Sequence, residues 1–511
     1  MLTAMLSHDS LFTAPVPTDF LRDESRKTGT AEAIAFPQSV GELAAAVRAA
    51  AACGEPLTIQ GARTGISAGA VPEGGMIVSL SKMDRLLGFR TDAHGQAFLR
   101  VQPGISLAAL RRSLAADSRC PFPVFFPPDP TETSASLGGM AACNSSGACS
   151  YAYGATRDHI EALTLVLADG DILTLRRGQV FASDHHFLIA TDSGRVIEGE
   201  LPHLKMPSAK SAAGYWIKPD MDMLDLFIGS EGTLAIIAEL ELRLRPKPFA
   251  TLGVLCYFDT EDQALTCVES LRANASSVRP HILAAMEYFD AGSLRLIRGS
   301  ASSTGLLLPH PEPHWNVALY IEWALASDAP EPADLTCRLL AECGGHADDT
   351  WLAANAPSLE KLKAFRHAVP EQVNALIAER KRAYPSLTKL GTDLSVPDDK
   401  LKPILRLYRN DLNTAGLEHV IFGHIGNNHV HVNILPRDME EYATGKRLYR
   451  KWAEQVVAWG GSVSAEHGIG RLKKDLLAIM YGADAIDAMR QLKARFDPAC
   501  QLNPGRLFDA R

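Results

Sequence analysis

Apolar and polar positions change rhythm along this chain, and the changes mark its elements. Val420-Ile421-Phe422 is apolar, Gly-Asn-Asn follows, and His429-Val-His-Val-Asn-Ile434 alternates with period two. That pattern predicts a β-hairpin. With Asn427-Asn428 as its two turn residues, positions 426, 425 and 424 oppose 429, 430 and 431. His424 then faces His431 across the ladder, with Cβ atoms roughly 4.5–5.5 Å apart. Further strands are expected at Thr251–Phe258 and Trp315–Trp323, with helices at Thr260–Ala273, Pro332–Cys343 and Pro397–Leu412. This alternation predicts an antiparallel sheet with helices on one face.

Upstream, a helix over Val40–Ala50 precedes a strand at Pro56–Gln60, the glycine-rich loop Gly61–Pro72 and a strand at Met76–Leu80. Strands at Ala162–Leu167 and Asp171–Leu175 flank an Asp169-Gly170 turn. The stretch 180–225 reads as irregular, and Ile236–Leu244 as a strand that ends at Arg245-Pro-Lys-Pro248. Residues from Tyr442 onward read as helical except for a loop around Gly460–Gly470. The expected division is a lead-in over 1–31, a first domain over 32–248, a second over 249–459 and a closing segment over 460–511. Pro309-His-Pro-Glu-Pro-His314 reads as a surface loop.

Composition narrows the function class. The 511 residues are 46% apolar and 22% charged with net charge −8. Without a basic stripe, nucleic-acid binding is not expected. No apolar run reaches the length of a membrane span, and the first residues lack a basic stretch followed by an apolar core. Nine cysteines occur with no C-x-x-C pair, which disfavours disulfides and an iron–sulfur centre in this chain. A cytoplasmic protein is expected, with peripheral membrane contact left open.

Three segments carry candidate chemistry. The loop Gly61-Ala-Arg-Thr-Gly-Ile-Ser-Ala-Gly follows a strand, a setting in which backbone N–H groups can cradle a pyrophosphate. It is not the G-x-G-x-x-G that opens a long helix, so a nicotinamide site is disfavoured. Ala135–Gly147, with Tyr153-Gly154 beyond it, is dense in Gly, Ser and Ala, suited to threading along a large flat ligand. In the third, two imidazoles on the hairpin and Glu466 could hold a metal with open positions, leaving His467 free as a base. From these residues alone, a buried hydrogen-bonded histidine pair remains the plainer reading.

Taken in order, Gly61–Pro72, Leu137-Gly-Gly, Asn144-Ser-Ser-Gly, Tyr153-Gly154, Gly229-Ser-Glu-Gly-Thr-Leu, Gly423-His-Ile-Gly with His431, Ser464–Gly470 and Leu502-Asn-Pro-Gly resemble one family. It is that of the FAD-linked 2-hydroxy-acid dehydrogenases of the vanillyl-alcohol-oxidase type, and the match runs from about residue 32 to 508. The resemblance implies an α+β chain: a two-part FAD-binding domain of this type, an α+β cap with an antiparallel sheet, and a helical C-terminal segment. It implies FAD contacts from Gly61, Ala62, Arg63, Thr64, Gly65, Ser67, Pro128, Gly138, Gly139, Asn144, Gly147, Gly154, Glu231 and Asn503. No histidine lies in the 61–72 loop, so the FAD is expected to be non-covalent.

His424, His431 and Glu466 match the family's metal positions, with zinc the expected ion, and His467 matches the catalytic base. Arg366 and Asn433 match substrate-contacting residues, with Glu466 beside them. The implied reaction is oxidation of a 2-hydroxy acid, such as D-lactate, D-2-hydroxyglutarate or glycolate, to the 2-oxo acid. A separate acceptor (quinone, cytochrome, electron-transfer flavoprotein or iron–sulfur subunit) would take the electrons, and a homodimer is compatible. The alternative is an aldonolactone or sugar-alcohol oxidoreductase on the same flavin fold.

The chain departs from the family pattern in several places, first at the hairpin turn, where Asn427-Asn428 stand for the usual Asp-Gly. His429 stands where that pattern has asparagine, Pro370 where hydroxyglutarate-specific relatives have a hydroxyl residue, and Lys389 is out of register with a family lysine.

Overall fold

In the computed structural model, residues 11–116, 122–300 and 311–509 are described. Residues 1–10 of the lead-in, Cys120 and residues 309–310 of the Pro-His loop lie outside them.

The helix Val40–Cys53 starts at Ser39, whose hydroxyl accepts from Glu42 N, and stops at Gly54. Its alanine-rich stripe is buried against strands 33–35, 76–79 and 57–60, which pair in parallel. Phe12–Thr13 adds an antiparallel edge. A bridge from Leu57 to Leu502 returns the C-terminal segment to this sheet. A five-stranded antiparallel sheet follows, ordered 86–91, 97–101, 236–243, 160–166, 172–176, and it contains the expected Asp169-Gly170 hairpin. The stretch read as irregular holds a two-stranded hairpin, 186–190 with 196–200. Its burial alternates strictly, but Leu188 and Val196 are apolar yet exposed, so the alternation is hidden in the sequence.

The cap is built on a seven-stranded antiparallel sheet ordered 351–353, 250–258, 317–325, 282–289, 419–424, 429–434, 390–391. Helices 261–274, 331–342 and 401–415 share an apolar cluster with Val254, Cys256 and Phe258. Helices 291–300 and 356–380 share another with Leu255, Tyr257 and Phe289. The sheet is therefore covered on both faces, not one. The reason is visible in strand Ala250–Phe258, where Leu252 to Phe258 are all buried without alternation, as in any strand sandwiched between layers. Helices Met439–Ala458 and Lys474–Phe496 flank the loop carrying Ser464–Gly470. Among the described residues no helix is long and apolar enough to cross a membrane.

Candidate active site

A cleft of about 310 Å³ runs between the first domain and the cap. One wall is the 61–70 loop, another the 135–147 segment, and its floor includes Glu231 to Ile237. Arg63 has φ 60°. The N–H groups of Arg63, Thr64, Gly65, Ile66 and Ser67 find no acceptor among the described residues. Consecutive unpaired amides in a turn form an anion cradle, which suits a dinucleotide diphosphate. Ser136 Oγ accepts from Ala62 N at 3.2 Å and holds the loop against the 135–147 segment. Glu231 accepts from Ile469 N (2.6 Å) and Gly470 N (2.7 Å), and Asn503 donates to Glu231 O (2.8 Å), so three distant segments meet here.

Of the residues matched to FAD binding, Gly61, Ala62, Arg63, Thr64, Gly65, Ser67, Gly138, Gly139, Gly147, Glu231 and Asn503 line the cleft. Pro128, Asn144 and Gly154 lie off it. Asn144 is committed to Arg157 N at 2.9 Å, the Pro128 carbonyl accepts from Arg111, and Gly154 forms the turn before Asp158.

The far end of the cleft is walled by His424, Glu466 and His467. The hairpin that supplies the imidazoles differs from the expected register. His424 pairs with His429, and His431 pairs with Phe422. The connection is not a two-residue turn: Ile425–Asn427 form a 3-10 turn and Asn428 closes it at φ 53°. Gly423, at φ 123°, bends the strand where a Cβ would sit 2.7 Å from the His431 ring. A two-residue shift preserves side-chain facing, since strands have period two. All three imidazoles therefore share one face, with ring centroids 4.4–5.5 Å apart.

Each ring is held from behind. His424 Nδ1 lies 2.6 Å from Glu287 Oε1, leaving Nε2 3.2 Å from Glu466 Oε2. His431 Nδ1 donates to Thr392 O at 3.1 Å. His429 Nε2 lies 3.1 Å from Asp393 Oδ1, and its Nδ1 is 4.0 Å from Glu466 Oε1. Donor atoms of His424, His429, His431 and Glu466 all fall within 4.8 Å of one another. Carboxylates and carbonyls behind imidazoles that converge on a further carboxylate suit a divalent cation. Lys210 Nζ (2.5 Å) and Ser146 Oγ (3.1 Å) steady the other oxygen of Glu466.

The charges follow this layout. Burial alone would lower the His424 pKa, but Glu287 and Glu466 outweigh it and push it up to about 9. Burial and the neighbouring imidazoles push His431 well below the usual histidine range. Despite burial, His424 and Lys210 hold Glu466 well below the usual carboxylate range. Asp393, buried to 1%, is likewise held well down against its burial, by His467 and Lys473.

Asp393 also orients the next group. It accepts from the backbone N–H of Glu466 (3.2 Å) and His467 (3.1 Å), and its Oδ2 lies 3.4 Å from His467 Nδ1. His467 stacks near His431 and is the most open of these imidazoles, its side chain 33% exposed. Arg366, on helix Ala356–Arg380, places Nε 3.6 Å from Glu287 Oε2. Its guanidinium makes no hydrogen bond among the described residues. Burial is outweighed by Glu287 and Asp129, which raise its already high pKa. Asn433 is buried beside Gly391, on the strand face it shares with His429 and His431.

Glu287, Asp393 and Lys210 were not anticipated. A lone carboxylate within the buried strand Ile282–Phe289 was a usable signal for Glu287. Asp393 and Lys210 sit in irregular segments with no local mark.

A divided sheet domain with an anion-cradling loop, capped over a cleft that ends in histidines, is the architecture of a flavin oxidoreductase. The sequence agrees: residues 31–176 match an FAD binding domain and residues 247–507 the C-terminal domain of FAD linked oxidases, and the chain belongs to that FAD-linked family. It is similar to a D-lactate dehydrogenase of Anaerostipes hadrus, 28% identical over 96% of this chain and 92% of the relative. A D-2-hydroxyglutarate dehydrogenase of Xanthomonas citri is 28% identical over 96% and 92%, and the glycolate oxidase subunit GlcD of Bacillus subtilis 27% over 94% and 90%. Among solved structures, an alkyldihydroxyacetonephosphate synthase superposes with TM-score 0.63 at 16% identity, over 93% of this chain and 77% of that one, and shares the fold. The protein is an FAD-dependent oxidoreductase.

Proposed function

We propose that this enzyme oxidises a small D-2-hydroxy acid to its 2-oxo acid and passes the electrons to a separate acceptor. One observation carries the reading: a largely buried guanidinium, Arg366, 14% exposed and making no hydrogen bond among the described residues, is joined through Glu287 to the histidine cluster at the end of the cofactor cleft. A buried cation left with open donors is suited to an anionic substrate. The names of the relatives supply the substrate class and its D configuration.

In this reading residues 32–248 hold FAD and 249–459 cover the substrate, with 460–511 closing on both. FAD, when bound, supplies the acceptor for the substrate's hydride. His424, His431 and Glu466 would hold a divalent cation, zinc among those this ligand mix suits, and it would supply Lewis-acid polarisation of the hydroxyl.

The chain's own groups do the rest. Arg366 grips the carboxylate through two parallel hydrogen bonds, a geometry lysine cannot reproduce. His467 takes the hydroxyl proton at Nε2 while Asp393, behind Nδ1, holds the ring and stabilises its protonated form. Asn433 orients the substrate from the same strand face as His431.

The test is anaerobic mixing of the purified enzyme with D- and L-2-hydroxy acids, aldonolactones and sugar alcohols, following loss of flavin absorbance. Reduction by a D-2-hydroxy acid is expected; reduction only by a lactone or sugar alcohol, or by nothing, sinks the proposal. His467→Ala should keep flavin and metal yet lose about 10²–10⁴ in turnover.

A further inference from the structure

The hairpin presents three imidazoles where the reading above uses two. We propose that His429 is a fourth protein ligand, making a three-histidine, one-carboxylate site. The inference rests on the metal reading of the previous section and extends it to a residue for which the family pattern has asparagine.

The first support is an unmet need. His429 is 0% exposed; Asp393 Oδ1 lies 3.1 Å from its Nε2, but its Nδ1 makes no hydrogen bond among the described residues. Buried polar atoms are nearly always partnered, and a buried ring nitrogen without a partner costs stability unless something else engages it. Asp393 accounts for one nitrogen and leaves the other, Nδ1, facing the cluster.

The second support is direction. His424 and His431 each turn Nδ1 toward a fixed acceptor, Glu287 and Thr392 O, and His424 thereby points Nε2 at Glu466. His429 repeats the arrangement with its nitrogens exchanged: Nε2 is the atom near Asp393, and Nδ1 is the atom facing Glu466. An acceptor behind each ring and a common focus in front is how metal-bound histidines are oriented. The third support is convergence, since its donor atom lies within 4.8 Å of those of the other three residues.

The count has a chemical consequence. Four protein donors would fill a tetrahedral site, so an ion held there would need room for further donors to polarise the substrate hydroxyl. Such a site favours cations tolerant of six donors, such as Mn²⁺, Fe²⁺ or Co²⁺, over a strictly tetrahedral Zn²⁺.

The experiment uses the purified, flavin-loaded enzyme stripped of metal, with Zn²⁺ and Mn²⁺ titrated separately against a competing chelator. His429→Asn and His429→Gln are compared with wild type, and flavin content reports folding. The dissociation constant should rise at least about tenfold in both variants, since even outer-shell partners carry 10–100-fold in affinity. X-ray absorption at the zinc edge should count three imidazoles in wild type and two in the variants. Wild-type affinity in flavin-loaded His429→Asn, or two imidazoles in wild type, overturns the proposal. If neither variant keeps flavin, the wild-type imidazole count alone decides. Absence of any saturable cation binding in wild type would instead remove the metal reading itself, and this inference with it.

Discussion

Replacing Arg272 with methionine should loosen the hairpin that carries the imidazoles without touching an imidazole. Arg272, on helix Glu261–Asn274, directs one terminal nitrogen at Ile425 O (2.6 Å), Gly426 O (2.9 Å) and Asn428 Oδ1 (2.6 Å). These acceptors are the turn between His424 and His429. One nitrogen carries two protons, so three acceptors share two charge-assisted bonds. Hydrogen bonds to charged groups are worth about 1.5–3 kcal/mol each. The Arg272 side chain is 17% exposed, so water can replace part of the loss, and about 3 kcal/mol of local stability is expected to go. At 1.4 kcal/mol per decade that is on the order of 100-fold in the opening equilibrium.

Amide hydrogen exchange of peptides covering 424–432 is the appropriate assay, because local opening is read there without assuming that a chain of several domains unfolds in one step. Methionine keeps the apolar stem, so peptides of the surrounding helix serve as the control. Arg272→Lys, which can satisfy fewer acceptors, should fall between. Unchanged protection of 424–432 in a flavin-loaded Arg272→Met would refute the argument that this arginine holds the turn.

Other consequences are narrower. Arg366→Lys keeps the charge but loses the fork, and kcat/KM for the 2-hydroxy acid should fall by roughly 10–100-fold in steady-state assays, with metal content unchanged. A change under threefold would remove Arg366 from substrate binding. In Gly147→Ala the added methyl would meet the Asp129 carbonyl oxygen at 2.1 Å, so the cleft wall must move. Flavin absorbance per protein should drop, and full occupancy would show that the wall is more yielding than it looks. Against the cost of burial, Arg90 and Arg176 hold the Glu241 carboxyl below its usual range. A depressed carboxylate stabilises above its unfolded value and loses that contribution as pH falls through the folded one. Glu241→Gln should therefore lower the thermal midpoint at pH 7, by an amount corresponding to about 1–2 kcal/mol, with the gap narrowing as pH falls below the usual carboxylate range. A gap independent of pH would contradict this.

Several of these features are legible in the chain and others are not. The 61–72 loop and the Ser464–Gly470 segment stand out because backbone chemistry confined to a few residues leaves a local mark. The helix at 40–53 and the Asp169-Gly170 hairpin are legible for the same reason. The hairpin at 419–434 was legible as a hairpin, but its pairing was not. Asn428 adopts left-handed φ within a longer turn, and Arg272 and Asp398, distant in sequence, hold it there. Two-faced burial of the cap sheet was written in the unbroken apolar run of 252–258, yet helix 356–380 lacks an amphipathic pattern strong enough to announce itself.

By itself the sequence pointed to the cofactor class through the ordered motifs of its family resemblance, and to the face of the strand on which the imidazoles lie, because period-two geometry is a property of neighbouring residues. Only the tertiary structure decided which imidazole opposes which, and which carboxylates stand behind them. Glu287 meets His424 across 137 positions and Lys210 meets Glu466 across 256. Burial and charge pairing over such separations depend on how the domains close on one another, and no local pattern records that.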